Sequence, residues 1–92
     1  MTKTEENELI FAHEKSFKNM SALKKDQLCG CFYCLKIFRS SEIKESVPEE
    51  GGGETALCPY CGIDAVLGEA IGVPIGEKFL TKMNEYWFSP KD

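Results

Sequence analysis

The sequence predicts a small α+β domain: a zinc module of treble-clef or zinc-ribbon type flanked by an N-terminal and a C-terminal helix. Three observations lead there. Two C-x-x-C pairs stand in mid-chain, helical periodicity brackets them, and 92 residues are few for a self-sufficient core. A chain of this size buries only about 60% of the surface its unfolded form exposes. Small domains of that kind lean on a metal, a disulfide or a partner. With 42% hydrophobic and 28% charged residues, the composition is that of a folded domain rather than a disordered one. A single domain over residues 1–92 is expected, divided into an N-terminal helical segment (1–28), a zinc module (29–72) and a C-terminal helix (73–92).

From Thr4 to Leu23 the pattern is helical, with Thr4 as N-cap and Glu5, Glu6 and Glu8 complementing the helix dipole. Leu9, Ile10, His13, Phe17 and Met20 fall on one face, and Asn19 and Ser21 mark a place where the helix can divide. The segment CGCFYCLKIF, Cys29 to Phe38, reads as strand, turn and strand. Ser40 suits an N-cap for one or two turns that Pro48 closes, and EEGGGE, Glu49 to Glu54, is a loop. Thr55 to Leu57 forms a brief strand before Cys58. Ile63, Val66, Leu67, Ala70 and Ile71 then recur at helical spacing, with Gly68 as a weak point and Gly72 suited to the C-terminal cap. Glu77 to Phe88 is a helix with Phe79, Leu80, Met83, Tyr86 and Trp87 on one side.

The chemistry lies in Cys31-Phe32-Tyr33-Cys34 and Cys58-Pro59-Tyr60-Cys61. Two residues between ligands let a tight turn aim both sulfurs at one point, and its N–H groups can face the thiolates. Two such turns supply the four ligands of a closed structural zinc site, so Cys31, Cys34, Cys58 and Cys61 are the expected ligands of one zinc ion. Iron is the main competitor for the same sulfurs. Residues 35–57 separate the pairs, slightly more than the usual ~15–20, and the glycine loop accommodates the excess. Gly62 follows the second pair, where a left-handed residue completes the turn; Leu35 makes the first pair the less regular. Cys29 is left over, either a buried or half-exposed free thiol or a substitute for Cys31. A helix opening at Ile63 would make the module a treble clef, the favoured reading; a strand there would make it a zinc ribbon.

At CGCFYCLKIF, TALCPYCGIDAV and the terminal KMNEYWF the chain resembles a family of small uncharacterised bacterial cytoplasmic zinc-binding proteins with C-x-C-x-x-C and TALCPYCGIDSV-like segments. The resemblance covers most residues from Cys29 to Phe88, and Ala65 stands where the family has Ser. It implies a bacterial cytoplasmic zinc protein and no established activity.

The formal net charge of −4 has the wrong sign for general nucleic-acid affinity, and Lys24-Lys25 is the longest basic run. Around the cysteines, Lys36, Arg39 and Lys44 are outnumbered by Glu42, Glu45, Glu49, Glu50 and Glu54. The polar start MTKTEE offers no signal-peptide core, and no apolar run approaches the ~20 residues of a membrane span. A cytoplasmic protein with no membrane association is expected; an odd cysteine count argues against a secreted disulfide scaffold. An HNH-like nuclease would need a histidine base beside the cysteines, and the one histidine, His13, is far upstream. The expected role is therefore non-catalytic, through a protein partner or self-association. Nucleic-acid binding by the stacking of Phe32, Tyr33 and Tyr60 is the alternative.

Overall fold

The computed structural model describes residues 2–88; Met1 and residues 89–92, at the outer ends of the first and last expected segments, lie outside it. Two helices, α1 (Lys3–Glu14) and α2 (Glu77–Phe88), enclose five short strands: β1 (Leu28–Cys31), β2 (Ile37–Arg39), β3 (Ser46–Pro48), β4 (Glu54–Ala56) and β5 (Val66–Gly68). The strands form a three-stranded antiparallel sheet, ordered β2-β1-β5, and an antiparallel β3-β4 hairpin. Among the described residues no helix is long and apolar enough to cross a membrane.

Helix α1 starts two residues earlier than the expected Thr4 cap, because Thr2 Oγ1 accepts the Glu5 N–H at 3.1 Å. It ends at Glu14, well short of Leu23. There Lys15 N–H turns back to the carbonyls of Phe11 and Ala12, and Ser16 Oγ donates to the His13 carbonyl at 2.7 Å. The chain then passes through Lys18, with φ +54°, to a single turn of 3-10 helix at Met20–Leu23. The break serves Asn19. Its side-chain amide donates to the Val66 carbonyl at 2.8 Å and its oxygen accepts the Ala56 N–H at 3.0 Å, joining β5 to β4 from a buried position. A continuous helix could not place this amide between two strands. The buried side of α1 is accordingly Leu9 and Ala12, whereas Ile10, His13 and Phe17 of the expected stripe face outward.

Strands β1 and β2 match the expected strand–turn–strand, with Cys29 opposite Phe38. The expected helix over Ile63–Ile71 is absent. Val66–Gly68 is a strand that pairs with Cys29–Cys31, and a single 3-10 turn, Glu69–Ile71, follows and ends on Gly72 with φ +92°. The apolar spacing misled because β5 is buried on both faces: Ala65, Val66 and Leu67 are all in the core, which reads as a continuous apolar run rather than an alternation. Gly68 has a packing role here, since a Cβ would collide with Leu23 and the Gln27 side chain. Ser40–Glu42 forms one 3-10 turn instead of a longer helix, and Pro48 lies in β3, where a two-stranded hairpin tolerates it. Glu49 to Gly53 of the expected EEGGGE loop form the tip of that hairpin, while Glu54 already opens β4; Gly51, Gly52 and Gly53 all have positive φ.

Helix α2 has the predicted bounds. Phe79, Leu80 and Met83 are buried, and Tyr86 and Trp87 pack partly against the core. Its close approach to β1 depends on Gly30, where a Cβ would come within 2.6 Å of Leu80 Cδ1. The helices meet through Trp87 Nε1–H donating to the Leu9 carbonyl at 3.4 Å and Lys82 facing Glu5 at 3.2 Å. Lys82 draws the exposed Glu5 carboxyl below its ordinary range, with help from the Thr2 cap.

Gln27 is the second buried amide. Its Nε2 donates to the carbonyls of Ala22 and Lys25, its Oε1 accepts the Ala70 N–H, and its backbone exchanges bonds with Ser40. Asn19 makes fewer bonds, but both of its partners belong to strands. Asn19→Ala leaves two strand groups buried without partners and is expected to destabilise the folded protein by about 2–4 kcal/mol. Urea unfolding measures this, with exposed Lys24→Ala as a control expected within about 0.5 kcal/mol of the parent.

Candidate metal centre

The two C-x-x-C turns are built alike. In the first, Cys31 N–H donates to the Lys36 carbonyl at 3.0 Å, Leu35 N–H to the Cys31 carbonyl at 2.9 Å, and Tyr33 N–H to Cys31 Sγ at 3.4 Å. In the second, Cys58 N–H donates to the Ile63 carbonyl at 2.9 Å, Gly62 N–H to the Cys58 carbonyl at 2.9 Å, and Tyr60 N–H to Cys58 Sγ at 3.4 Å. The correspondence extends to the residue after each pair: Leu35 has φ +67° and Gly62 φ +77°. Leu35 thus does what glycine does in the second turn. Its half-buried side chain packs on the core and offsets the ~1–2 kcal/mol that a left-handed L-residue costs. The expected irregularity of the first turn is absent.

The turns face each other. Cys31 Sγ lies 3.6 Å from Cys61 Sγ, Cys34 Sγ lies 3.7 Å from Cys58 Sγ, and all four sulfurs are within 4.8 Å of one another. Ligands ~2.3 Å from one centre at tetrahedral angles stand ~3.8 Å apart, so the spacing fits a four-sulfur shell. Among the described residues, these cysteines are the one group of three or more His, Cys, Asp and Glu side chains close enough to share an ion. Cys31 and Cys58 are buried, while Cys34 and Cys61 are half-buried.

Burial pushes the thiols of Cys31 and Cys61 up, against the pull of nearby backbone N–H groups. Burial opposes ionisation of Cys58 as well. There the N–H groups of Tyr60 and Cys61 and the adjoining Cys34 and Cys61 thiols outweigh it, and the Cys58 thiol is lowered. These N–H groups belong to the turn itself, because no helix opens at Ile63.

The shell is held from two sides. Phe32, between the first two ligands, is buried, and its N–H donates to the Ala65 carbonyl at 3.0 Å, tying one turn to the chain leaving the other. From α2, Asn84 Nδ2 donates to the carbonyls of Phe32 and Tyr33, both at 3.1 Å. Asn84 is the functional residue that the sequence did not reveal; it sits on the polar side of a helix singled out for its apolar face. Tyr60 donates to a Glu42 carboxylate oxygen at 2.5 Å, and its ring lies 5.8 Å from that of Phe38.

Cys29 stands outside the sulfur group. It is buried, with Sγ 3.8 Å from the Gln27 carbonyl, and burial pushes its thiol up to about 11. His13 is likewise elsewhere, its ring 4.0 Å from that of Trp87 and 6.0 Å from that of Phe32.

Open space surrounds the position a Cβ would take at Gly62, so Gly62→Ala tests the turn conformation alone. It is expected to lower the unfolding free energy by about 1–2 kcal/mol while leaving the bound-metal stoichiometry unchanged, as read by denaturation and elemental analysis of the same sample.

Comparisons with family models, with curated proteins and with solved structures returned no match. The site consists of two equivalent turns presenting four cysteine sulfurs positioned to hold a metal ion.

Proposed function

We propose that Cys31, Cys34, Cys58 and Cys61 hold one structural zinc ion, and that the chain is a non-catalytic module acting through a protein partner. The observation that carries this reading is the convergence of four sulfurs within 4.8 Å from two equivalent turns. An all-cysteine tetrahedral shell suits zinc or iron. Zinc, being redox-inert, serves a purely architectural role. With an antiparallel sheet behind the turns and a strand after the second, the module is best read as a zinc ribbon rather than a treble clef. Keeping such thiols reduced fits a cytoplasmic location, in line with the resemblance of the cysteine segments to small bacterial proteins.

Four protein ligands leave no position for substrate on the ion, which argues against catalysis there. The packing of His13 on Trp87 supplies no base to the sulfur group and argues against an HNH-like nuclease. A nucleic-acid reading has one observation in its favour, the exposure of Tyr33 (49%) and Tyr60 (55%) beside the turns. Glu42, bonded to the Tyr60 hydroxyl, would set a carboxylate against any phosphate stacked there.

When bound, zinc replaces thiol protons and links the turns. Its apparent binding energy of about 10–16 kcal/mol matches the whole stability of a small domain. Protein purified without added metal is expected to carry one zinc per chain by native mass spectrometry. Chelation is expected to abolish the near-ultraviolet signal of Trp87, and Cys31→Ser to prevent stable loading. A metal-free chain with an unchanged near-ultraviolet spectrum would contradict the reading. A mobility shift of a single-stranded oligonucleotide at physiological salt would favour the nucleic-acid alternative.

A further inference from the structure

A groove of about 420 Å³ lies where the end of α1, the tip of α2 and both cysteine turns meet. Phe32 and Ala65 form its buried base. Phe17, 53% exposed, and Phe88, 43% exposed, stand beside it with Ile63 and the His13 ring. Phe88 stacks on Phe32 at 5.6 Å and meets Tyr33 edge-on at 5.1 Å, so the apolar surface continues past the groove. Single exposed phenylalanines are ordinary; several rings sharing one concavity mark a binding surface. The volume is within the ~300–1,000 Å³ range of ligand pockets. Among the described residues the charges of the lining have one sign: Glu14 and Asp64 contribute carboxylates, and no Lys or Arg is part of it. The ammonium of Lys15 is over Phe11, and that of Lys18 is over the Phe17 ring with its stem packed near Gly53.

We propose that this groove docks a cationic apolar peptide segment of a partner protein, an aromatic or long aliphatic side chain seated over Phe32 with a Lys or Arg beside Glu14 and Asp64. Charge complementarity selects this occupant. The chain has a net charge of −4, and a zinc ion with four thiolates makes it more negative. A second copy would bring like charge to the rim, and a nucleic acid would bring phosphates to carboxylates. The inference rests on the metal reading, because the base of the groove is Phe32, between Cys31 and Cys34, bonded through its N–H to Ala65 just beyond Cys61. The groove exists only while the two turns face each other.

The test uses the zinc-loaded full chain, with metal content measured on the same sample, and a fluorescein-labelled peptide of twelve residues containing only Lys, Leu and Phe. Binding is read by anisotropy and by the emission of Trp87, the one tryptophan, whose ring packs on His13. Saturable binding is expected. It should weaken about tenfold in Phe17→Ala and in Asp64→Lys, both at exposed positions where folding is not at stake, and about tenfold for a peptide with Glu replacing Lys. Equal binding of the Glu peptide, or unaltered affinity in both variants, overturns the proposal. So does a concentration-dependent dimer that Phe17→Ala abolishes, which would make a second copy the occupant. A zinc-loaded chain that fails to bind overturns the groove and leaves the metal reading standing. A chain that takes up no zinc overturns both.

Discussion

The rest of the structure depends on four sulfurs being brought to one point. Two thiolates ~4 Å apart repel by about 4 kcal/mol at an effective dielectric of ~20, and a closed four-sulfur shell contains several such pairs. A cation at the centre would offset that repulsion by taking the place of the thiol protons, and the four sulfurs are positioned to hold one. The turns are shaped for that outcome. Each closes with the same backbone bonds, and each relies on a left-handed residue, Leu35 in one and Gly62 in the other.

From that point the constraint spreads outward. Cys31 is the last residue of β1, so fixing its sulfur fixes the strand at the centre of the sheet, and with it the pairing of Cys31 to Val66 and of Gly30 to Ile37. Gly30 lets α2 approach β1, and Asn84 returns from α2 to hold the carbonyls of the first turn. The N-terminal segment is joined differently, through buried amides. Asn19 links β4 to β5, and Gln27 links the Met20–Leu23 turn to the chain beyond β5. The cysteine turns, the strands and the flanking helical segments are thus joined by side-chain hydrogen bonds from Asn19, Gln27 and Asn84.

The sulfur group was legible from spacing alone, because two residues between ligands is a geometric requirement written directly in the sequence. The bounds of α2 were legible for a similar reason: a single amphipathic stripe from Phe79 to Trp87 is interrupted by nothing. What misled was local evidence outweighed by distant partners. Ile63 to Ile71 has helical spacing, but Val66 and Leu67 gain more from pairing with β1 in a sheet buried on both faces. Phe17 has the spacing of a core residue, but α1 ends early so that Asn19 can reach two strands, and Phe17 is left at the edge of a groove. Asn19 signalled a break in the first helix but not its partners, and Gln27 and Asn84 gave no signal, since a side-chain amide that satisfies remote carbonyls looks like any surface amide until its partners are placed.

X-ray absorption at the zinc edge, on protein purified without added metal, decides whether a four-sulfur metal shell organises this chain. One zinc with four sulfur neighbours at about 2.3 Å, and no nitrogen or oxygen ligand, is the expected result. A shell containing nitrogen or oxygen ligands, or no bound zinc and cysteines joined as disulfides, would contradict it.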